Sequence, residues 1–311
     1  MASHPAAIPH DAARARHPDA SGTVVRDGVR IVWDRYEPAD AGPATPTVVL
    51  APTWSIVHAR LWKAQIPYLA RHFRVVTWDG RGNGRSDRPA DAAAYDHAAF
   101  AADGLSVLDA TSTERAILVG LSAGASWSLL LAAEHPDRVQ GVVFIAPALP
   151  VGRLPRTSDS PPSGFDVERE SYEGWDLYNR HAWRLAYARF VAHFFAQCFT
   201  EPHSTKQIED CVGWACETDA ETLIRTQDAG RLLDHASLAA VTRAVRCPTL
   251  VIHGTDDDIV EHAVGVGLAE LLGCPLLTIE GGGHIPPARD PVRVNLAIRT
   301  FVESVREGQL A

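Results

Sequence analysis

Short apolar runs, separated by stretches long enough for a helix, constrain the fold of this chain more than any other feature. Five of them are rich in β-branched residues and end in turn residues, at 47–51, 74–79, 116–120, 142–146 and 249–254. Apolar strands without polar alternation are buried on both faces, and their alternation with helices is typical of a parallel sheet. The pattern predicts an α/β fold in which helices surround a mostly parallel sheet.

Two segments precede this sheet pattern. Residues 23–37 are expected to form a hairpin that turns at Asp27 and Gly28, because this pair accepts the positive φ of a tight turn. Residues 1–22 mix alanine, proline and histidine without a helical or strand period, which predicts a flexible N-terminal tail. With 311 residues, the chain is long enough for one large domain with an insertion.

Charge, hydropathy and cysteine usage restrict the partners of the protein. A net charge of −9 offers no basic face for phosphates, so we expect no nucleic-acid partner. No apolar run reaches the length of about 18 residues that a membrane span needs, and we expect a cytoplasmic protein without a membrane partner. The five cysteines form no CxxC pair and no metal-ligand spacing with histidine, which predicts reduced thiols, no metal and no cofactor. A homodimer is compatible with these properties.

One pentapeptide has the spacing of a nucleophile on a sharp turn. Residues 120–124 read GLSAG, after one apolar run and before another at 125–133. Where a strand turns abruptly into a helix at Ser122, side chains two residues to either side would collide, and glycine at both positions removes the collisions. The following helix directs its N-terminus at the serine, which favours developing negative charge. An ordinary glycine-rich turn is the alternative.

A carboxylate and a histidine follow Ser122 in the order that such a nucleophile needs. Asp257 comes just after the run at 249–254, and His284 lies in a glycine loop after a last apolar run. The order serine, aspartate, histidine resembles the α/β-hydrolase fold family, over about residues 24–306. This resemblance implies a mostly parallel eight-stranded sheet flanked by helices, with an inserted helical cap.

Two longer motifs carry the resemblance more specifically than the pentapeptide. Residues 79–86, DGRGNGRS, match the family pattern D-x-R-G-x-G-x-S, and residues 133–147 are similar to the helix and strand after the nucleophile. Trp62 and the QIPYL segment at 65–69 resemble the cap-bearing, epoxide-hydrolase-like branch. Its members use an aspartate nucleophile, so the serine indicates an esterase-like member.

The resemblance selects one acid among three. The family pattern of glycine, two residues and aspartate, counted from Gly254, identifies Asp257 as the triad acid, with Asp256 and Asp258 as the alternatives. A run of three aspartates is otherwise typical of a solvated turn. His253, in the preceding strand, is expected to be a buried structural residue rather than a second base.

The second oxyanion donor is where the chain departs from the family. Ala123, the residue after the nucleophile, would give the first backbone N–H. Family members commonly have His-Gly after the third strand, but this chain reads APTWS at 51–55. Alignment on the strand end makes Trp54 the second donor, whereas alignment backwards from Gln65 favours Ser55. Pro52 has no N–H to donate.

The alternation of strands and helices is lost between residues 151 and 245. We assign this segment to a helical cap, or lid, inserted into a core of residues 23–150 and 246–311. Apolar residues from 183 to 198 recur at three- and four-residue steps, as on one side of an amphipathic helix. Most of this stripe would pack within the cap, and its inner face would roof the site. The predicted substrate contacts are Trp54, His58, Trp183, Tyr187 and Phe194, with a polar surface position as the alternative for His58.

The resemblance implies a serine hydrolase that cleaves a carboxylic ester or lactone of an apolar small molecule through an acyl-serine. Cleavage of C–C bonds, acyl transfer and cofactor-free haloperoxidase chemistry use the same triad and are alternatives. An alternative of another class is a non-catalytic ligand-binding or signalling module of the same fold. Receptors of that kind often lack the serine or the histidine, whereas this chain has Ser122, Asp257 and His284.

Overall fold

An eight-stranded sheet is the centre of the computed structural model, which describes residues 16–151, 164–230 and 233–309. The strands are β1 Ala20–Arg26, β2 Val29–Tyr36, β3 Thr47–Leu50, β4 Arg74–Trp78, β5 Ala116–Leu121, β6 Val139–Ile145, β7 Thr249–Gly254 and β8 Leu276–Ile279. They lie in the order β1-β2-β4-β3-β5-β6-β7-β8, and only the β1–β2 and β2–β4 pairs among these strands are antiparallel. The predicted α/β fold with a mostly parallel sheet is confirmed.

Ten α-helices accompany these strands in the described part of the chain. They are α1 Ile66–Leu69, α2 His97–Ala110, α3 Ala123–Glu134, α4 Arg180–Cys198, α5 Thr205–Ala215, α6 Ala220–Asp228, α7 His235–Ala244, α8 His262–Leu272, α9 Pro286–Arg289 and α10 Pro291–Arg306. Helices α3 and α10 both contact β6, and every residue of β3 and β5 is buried. Both faces of β3 and β5 are therefore covered, which explains why their sequences are almost wholly apolar.

The hairpin forms where the sequence predicts it, but its first strand begins earlier than predicted. Asp27 and Gly28 have φ of 51° and 75°, and Arg26 pairs with Val29 across the turn. Strand β1 begins at Ala20, so residues 20–22 belong to the sheet and the predicted boundary of the tail at residue 22 is wrong. Their weak strand composition is overridden by pairing with β2. Residues 1–15 lie outside the described residues.

The strand order explains where a site can form. β3 lies between β4 and β5, so the next two strands along the chain pair with opposite edges of β3. Ligands in such sheets bind outside the carboxyl ends of the strands at this switch point. The loop after β3 and the turn after β5 meet there, and Thr53 Oγ1 donates to Leu121 O at 2.9 Å.

The D-x-R-G-x-G-x-S motif holds the loop after β4 against its neighbours. Asp79 accepts a hydrogen bond from Arg85 Nε at 2.8 Å and one from Ala59 N at 3.2 Å. Ser86 Oγ donates to Asp79 O at 2.6 Å, and a Cβ on Gly84 would come within 2.6 Å of the Asp79 carboxyl carbon. The motif is structural: it braces the segment that follows β3.

Helices α4 to α7 lie between β6 and β7 in the described part of the predicted insertion. Helix α4 has the predicted apolar stripe, with Trp183, Phe190 and Phe195 buried. Its regular geometry is interrupted at Ala186, which has φ −153° and ψ 58°. We call residues 164–244, apart from the undescribed 231–232, the inserted helices. Residues 152–163, at the start of the predicted cap, lie outside the described residues.

Candidate active site

Ser122 lies on a strained turn between β5 and α3. Its φ of 55° and ψ of −120° are unusual for a residue with a side chain, and such conformations cost about 1–3 kcal/mol. A Cβ on Gly120 would come within 2.4 Å of Gly124 O, and one on Gly124 within 2.3 Å of Pro52 O. Both glycines are therefore required by close backbone contacts, as the pentapeptide spacing predicts.

His284 reaches Ser122 from the loop after β8. Ser122 Oγ and His284 Nε2 are 3.0 Å apart, which is a hydrogen-bond distance. The loop is held by the inserted helices, because His284 N donates to Cys198 O at 2.9 Å. Gly281 has a φ of 68°, and a Cβ on Gly283 would lie 2.8 Å from Cys198 O. The glycine run thus lets the loop pass close to the end of α4.

Asp257 holds the other side of the imidazole. His284 Nδ1 donates to Asp257 Oδ2 at 2.8 Å, while Ile259 N and Val260 N donate to Asp257 Oδ1 at 2.9 Å each. Burial by itself would raise the pKa of Asp257, but the attraction of His284 and hydrogen bonds from His253 and His284 hold it below its ordinary value. The carboxylate is therefore ionised at neutral pH.

The structure distinguishes the three consecutive aspartates. Asp257 is buried, whereas Asp256 and Asp258 are exposed. Asp256 Oδ1 accepts from the neighbouring Thr255 Oγ1 at 2.9 Å. Among the three, the hydrogen bond to His284 belongs to Asp257, which is the residue that the family spacing selects.

The predicted oxyanion donors lie on the two segments that meet at Ser122. Ala123 is the first residue of α3, where backbone N–H groups have no partner within the helix. Trp54 lines the same cavity as Ser122, whereas Ser55 is buried and is not among the residues that line it. Of the two alternatives for the second donor, Trp54 is the one that adjoins the cavity beside Ser122.

A small cavity of about 30 Å³ adjoins Ser122 and His284. It has room for roughly two water molecules. Its remaining wall is almost entirely apolar and includes Trp54, Val57, Leu61, Phe194, Phe195 and Ile285. Pockets for small ligands usually measure roughly 300–1,000 Å³, so this cavity is much smaller than a typical ligand pocket.

Two of the five predicted substrate contacts line this cavity. Trp54 and Phe194 do so, with ring centroids 5.0 Å apart. Trp183 packs instead inside the inserted helices, its ring 4.7 Å from that of Phe190. Tyr187 Oη donates to Ala215 O at 3.1 Å. Helical periodicity thus identified the apolar side of α4, but it could not show which residues on that side line the cavity.

His58 is neither in the cavity wall described above nor at the surface. It is buried, its Nε2 lies 3.3 Å from Glu217 Oε2, and burial lowers its pKa. Glu217 comes from the inserted helices, and its backbone oxygen also accepts from Arg88. His58 therefore connects the loop after β3 to the insertion, and the surface alternative for it is wrong.

Sequence reasoning missed the second histidine on the triad acid. His253 Nε2 lies 3.0 Å from Asp257 Oδ2, so this oxygen contacts two imidazoles. A histidine at the end of a buried strand, four residues before the acid, was the available signal. Leu61, Val57 and Phe195 in the cavity wall were missed because their neighbours come from distant parts of the chain.

Across residues 16–151, 164–230 and 233–309, no helix combines the length and apolar character of a membrane span. The same ranges contain no group of three or more histidine, cysteine or acidic side chains arranged to hold a metal ion. All five cysteines, which lie within these ranges, are free thiols.

A model of the α/β hydrolase fold family matches residues 46–291 of the chain. A protein from Caulobacter sp. (strain K31), which has a provisional name as a carbamate hydrolase, is 37% identical over 298 residues, 91% of this chain and 97% of that one. The 2-hydroxymuconate semialdehyde hydrolase of Pseudomonas sp. (strain CF600) is 29% identical over 231 residues, 72% of this chain and 74% of that one.

A solved esterase from Rhodococcus sp. ECU1013 has a similar structure, with a TM-score of 0.72 and 26% identity. The similarity covers 91% of this chain and 98% of the esterase. The matched segment of the family model includes Ser122, Asp257 and His284. These relatives are named for reactions on different bonds, so similarity alone does not identify the substrate.

Proposed function

On the premise that the chain belongs to the α/β-hydrolase fold family, which its family match establishes, we propose that it is a serine hydrolase of carboxylic esters or lactones. One observation carries the proposal. Hydrogen bonds of 3.0 Å and 2.8 Å connect Ser122 Oγ to His284 and His284 to Asp257, at the strained turn that exposes the serine. Nucleophile, base and orienting acid are thus in contact.

Acylation begins with proton transfer from Ser122 Oγ to His284 Nε2 as the oxygen attacks the carbonyl carbon. Asp257 keeps the Nδ1 proton on the far side of the ring, so that Nε2 is free to accept. The backbone N–H groups of Ala123 and Trp54 stabilise the oxyanion, and losing one such donor costs roughly 3–4 kcal/mol of barrier. The imidazolium then protonates the leaving alcohol.

Deacylation repeats these steps with water as the nucleophile. His284 takes a proton from water, hydroxide attacks the acyl carbon, and the proton returns to Ser122 as the acid leaves. The apolar wall of Trp54, Val57 and Phe194 excludes bulk water from the acyl-serine. A low dielectric also strengthens the attraction between imidazolium and Asp257.

The wall of the cavity favours an apolar substrate. Apart from Thr53 and the polar atoms of the triad, the side chains beside Ser122 are aliphatic, aromatic or thiol. Burial of each substrate methylene against them contributes about 0.8 kcal/mol. We therefore expect esters and lactones with hydrocarbon groups to be preferred over charged ones.

The function is tested with a panel of p-nitrophenyl esters and aliphatic lactones. The proposal expects turnover of several members, with a rapid initial release of p-nitrophenol that matches the enzyme concentration if deacylation is slower. A panel of carbamates and β-diketones run in parallel measures the alternative reactions. Absence of turnover on every ester and lactone, with activity on another panel, would overturn the ester assignment.

We propose that Leu61 limits the length of the substrate. Its side chain lines the cavity beside Ser122 and also a second hollow of about 80 Å³, next to Cys211 and Trp214. A leucine side chain that faces both spaces separates them. Lys63 also lines the second hollow and pairs with Asp210 of α5.

Replacement of Leu61 by alanine should open one space to the other. We expect kcat/KM for octanoyl relative to acetyl esters to rise about tenfold or more, since each further methylene gains apolar contact. The measurement uses p-nitrophenyl esters of increasing acyl length and alkyl acetates of increasing alcohol length, with Leu61→Met as the control of similar volume. Unchanged length preference in both series would contradict the proposal.

A further inference from the structure

His253 is a buried histidine that the mechanism above does not use. It lies at the end of β7, is fully buried, and pairs in the sheet with Thr278 of β8. Its Nε2 is 3.0 Å from Asp257 Oδ2 and 3.0 Å from Val260 O. Its Nδ1 is buried and has no hydrogen-bond partner among the described residues.

These contacts determine which ring nitrogen carries the proton. Both neighbours of Nε2 are oxygens that accept hydrogen bonds, so Nε2 must be the donor. A backbone glycine, Gly265 of α8, faces Nδ1 so closely that a Cβ there would lie 2.3 Å from it. The side chain is therefore held in one orientation, with its N–H shared between Asp257 Oδ2 and Val260 O.

Asp257 accepts four hydrogen bonds as a result. Its Oδ1 receives the backbone N–H groups of Ile259 and Val260, and its Oδ2 receives His284 Nδ1 and His253 Nε2. Without His253, the oxygen that faces His284 would lose its second donor. The carboxylate could then rotate, and it would attract the His284 ring more strongly.

We propose that His253 is a positioning residue for the hydrolase reaction: it fixes the orientation of Asp257 and moderates the pull of that carboxylate on His284. The inference rests on the proposed function, because it gives His253 a role only through the triad. His253 would not touch the substrate. Because the hydrogen bond from His253 offsets part of the negative charge on Asp257 Oδ2, the carboxylate attracts protonated His284 less strongly. Neutral His284 can then act as the base.

The charged and titratable groups around His253 come from four segments. Asp257 follows it in the chain, His284 shares Asp257, and His262 of α8 has its ring centroid 5.6 Å away. The buried thiol of Cys198, in α4, is close enough to Asp257 for the two to interact. His262 Nε2 is 3.2 Å from Thr278 Oγ1 and does not contact Asp257 directly in the described hydrogen bonds.

Two variants separate positioning from simple packing. His253→Phe keeps a buried ring but removes the N–H, whereas His253→Gln places an amide N–H near the same point. We expect His253→Phe to lower kcat roughly 10- to 100-fold, the effect of losing one hydrogen bond to a charged group, with KM changed much less. His253→Gln should regain most of this loss.

The pH dependence of kcat/KM distinguishes the two roles, because a change in packing alone would not shift it. Loss of the donor in His253→Phe should stabilise the imidazolium of His284, so the acid limb of kcat/KM is expected at higher pH than in the wild type. The His253→Gln limb should return toward the wild-type position. Both are measured on one p-nitrophenyl ester, with circular dichroism and Tm to verify folding.

The outcomes are distinguishable from failure of the proposed function. If wild type neither hydrolyses esters nor reacts with a fluorophosphonate, the hydrolase proposal fails first. An active wild type whose His253→Phe variant keeps both kcat and the acid limb overturns the role of His253. Equal loss of kcat in both variants, with the limb unmoved, also overturns it, because that result indicates packing alone.

Discussion

Replacing Ser122 by alanine should lower kcat on the best ester by about 10⁵- to 10⁶-fold. In the proposed mechanism this side chain is the nucleophile, and removal of a triad nucleophile leaves only oxyanion stabilisation and binding. Folding should be preserved, because alanine accepts the position as well as serine and, within the described part of the chain, the hydroxyl is hydrogen-bonded to His284 alone. Steady-state kinetics at matched protein concentration, with Tm, measures both.

Ser126→Ala is the matched control for this variant. Ser126 lies one turn further along α3, where its Oγ donates to Ala148 O at 2.6 Å. Its loss removes one hydrogen bond and should cost about 1 kcal/mol of stability, with little change in kcat. Comparable kcat for Ser122→Ala and wild type would contradict the assignment of the nucleophile.

Asp257→Asn should lower kcat by about 10⁴-fold. An asparagine cannot stabilise the imidazolium, and its amide can hold His284 in the tautomer whose Nε2 carries the proton. The substitution also leaves two backbone donors, from Ile259 and Val260, facing a neutral group. We therefore expect a lower Tm in addition to the kinetic loss.

The neighbouring aspartates are natural controls. Asp256→Asn and Asp258→Asn change the same charge at exposed positions in the same turn. Each should leave kcat within about threefold of wild type, since surface substitutions of this kind are usually worth less than 0.5 kcal/mol. A loss at Asp256 or Asp258 as large as that at Asp257 would show that the wrong acid had been selected.

Much of the fold could be predicted from the sequence, because each central strand can be identified from its own residues without knowledge of the strand that it pairs with. The runs at β3, β5 and β7 are largely apolar and lack polar alternation, which occurs where both faces of a strand are covered. β1 could not be delimited in the same way. Its first residues are small and polar, and they become a strand through pairing with β2.

The triad residues were accessible to sequence reasoning for a different reason. Ser122, Asp257 and His284 each follow a strand, and parallel strands bring their carboxyl ends to one edge of the sheet. Local spacing of glycines also reports the backbone contacts that the elbow needs. The order of the three residues along the chain and the glycine spacing around Ser122 can both be identified from short segments of sequence.

Contacts between distant segments were not accessible. Trp183, Tyr187 and Phe194 share one helical stripe, and periodicity treats them alike although only Phe194 of the three lines the described cavity. The sequence around His58 is typical of a polar residue in a loop. Its contact with Glu217 could not be predicted, because the two residues are far apart in the chain. The partner of His253 was missed because the hydrogen bond depends on the path of a loop.

Covalent labelling with a fluorophosphonate, followed by mass spectrometry of the digested protein, tests whether Ser122 is the nucleophile. We expect one adduct per chain on the peptide that contains Ser122, lost in Ser122→Ala and formed much more slowly in Asp257→Asn. Ester substrate present during labelling should protect the serine. An active enzyme that acquires no adduct at Ser122, or acquires it on another serine, would show that Ser122 is not the nucleophile.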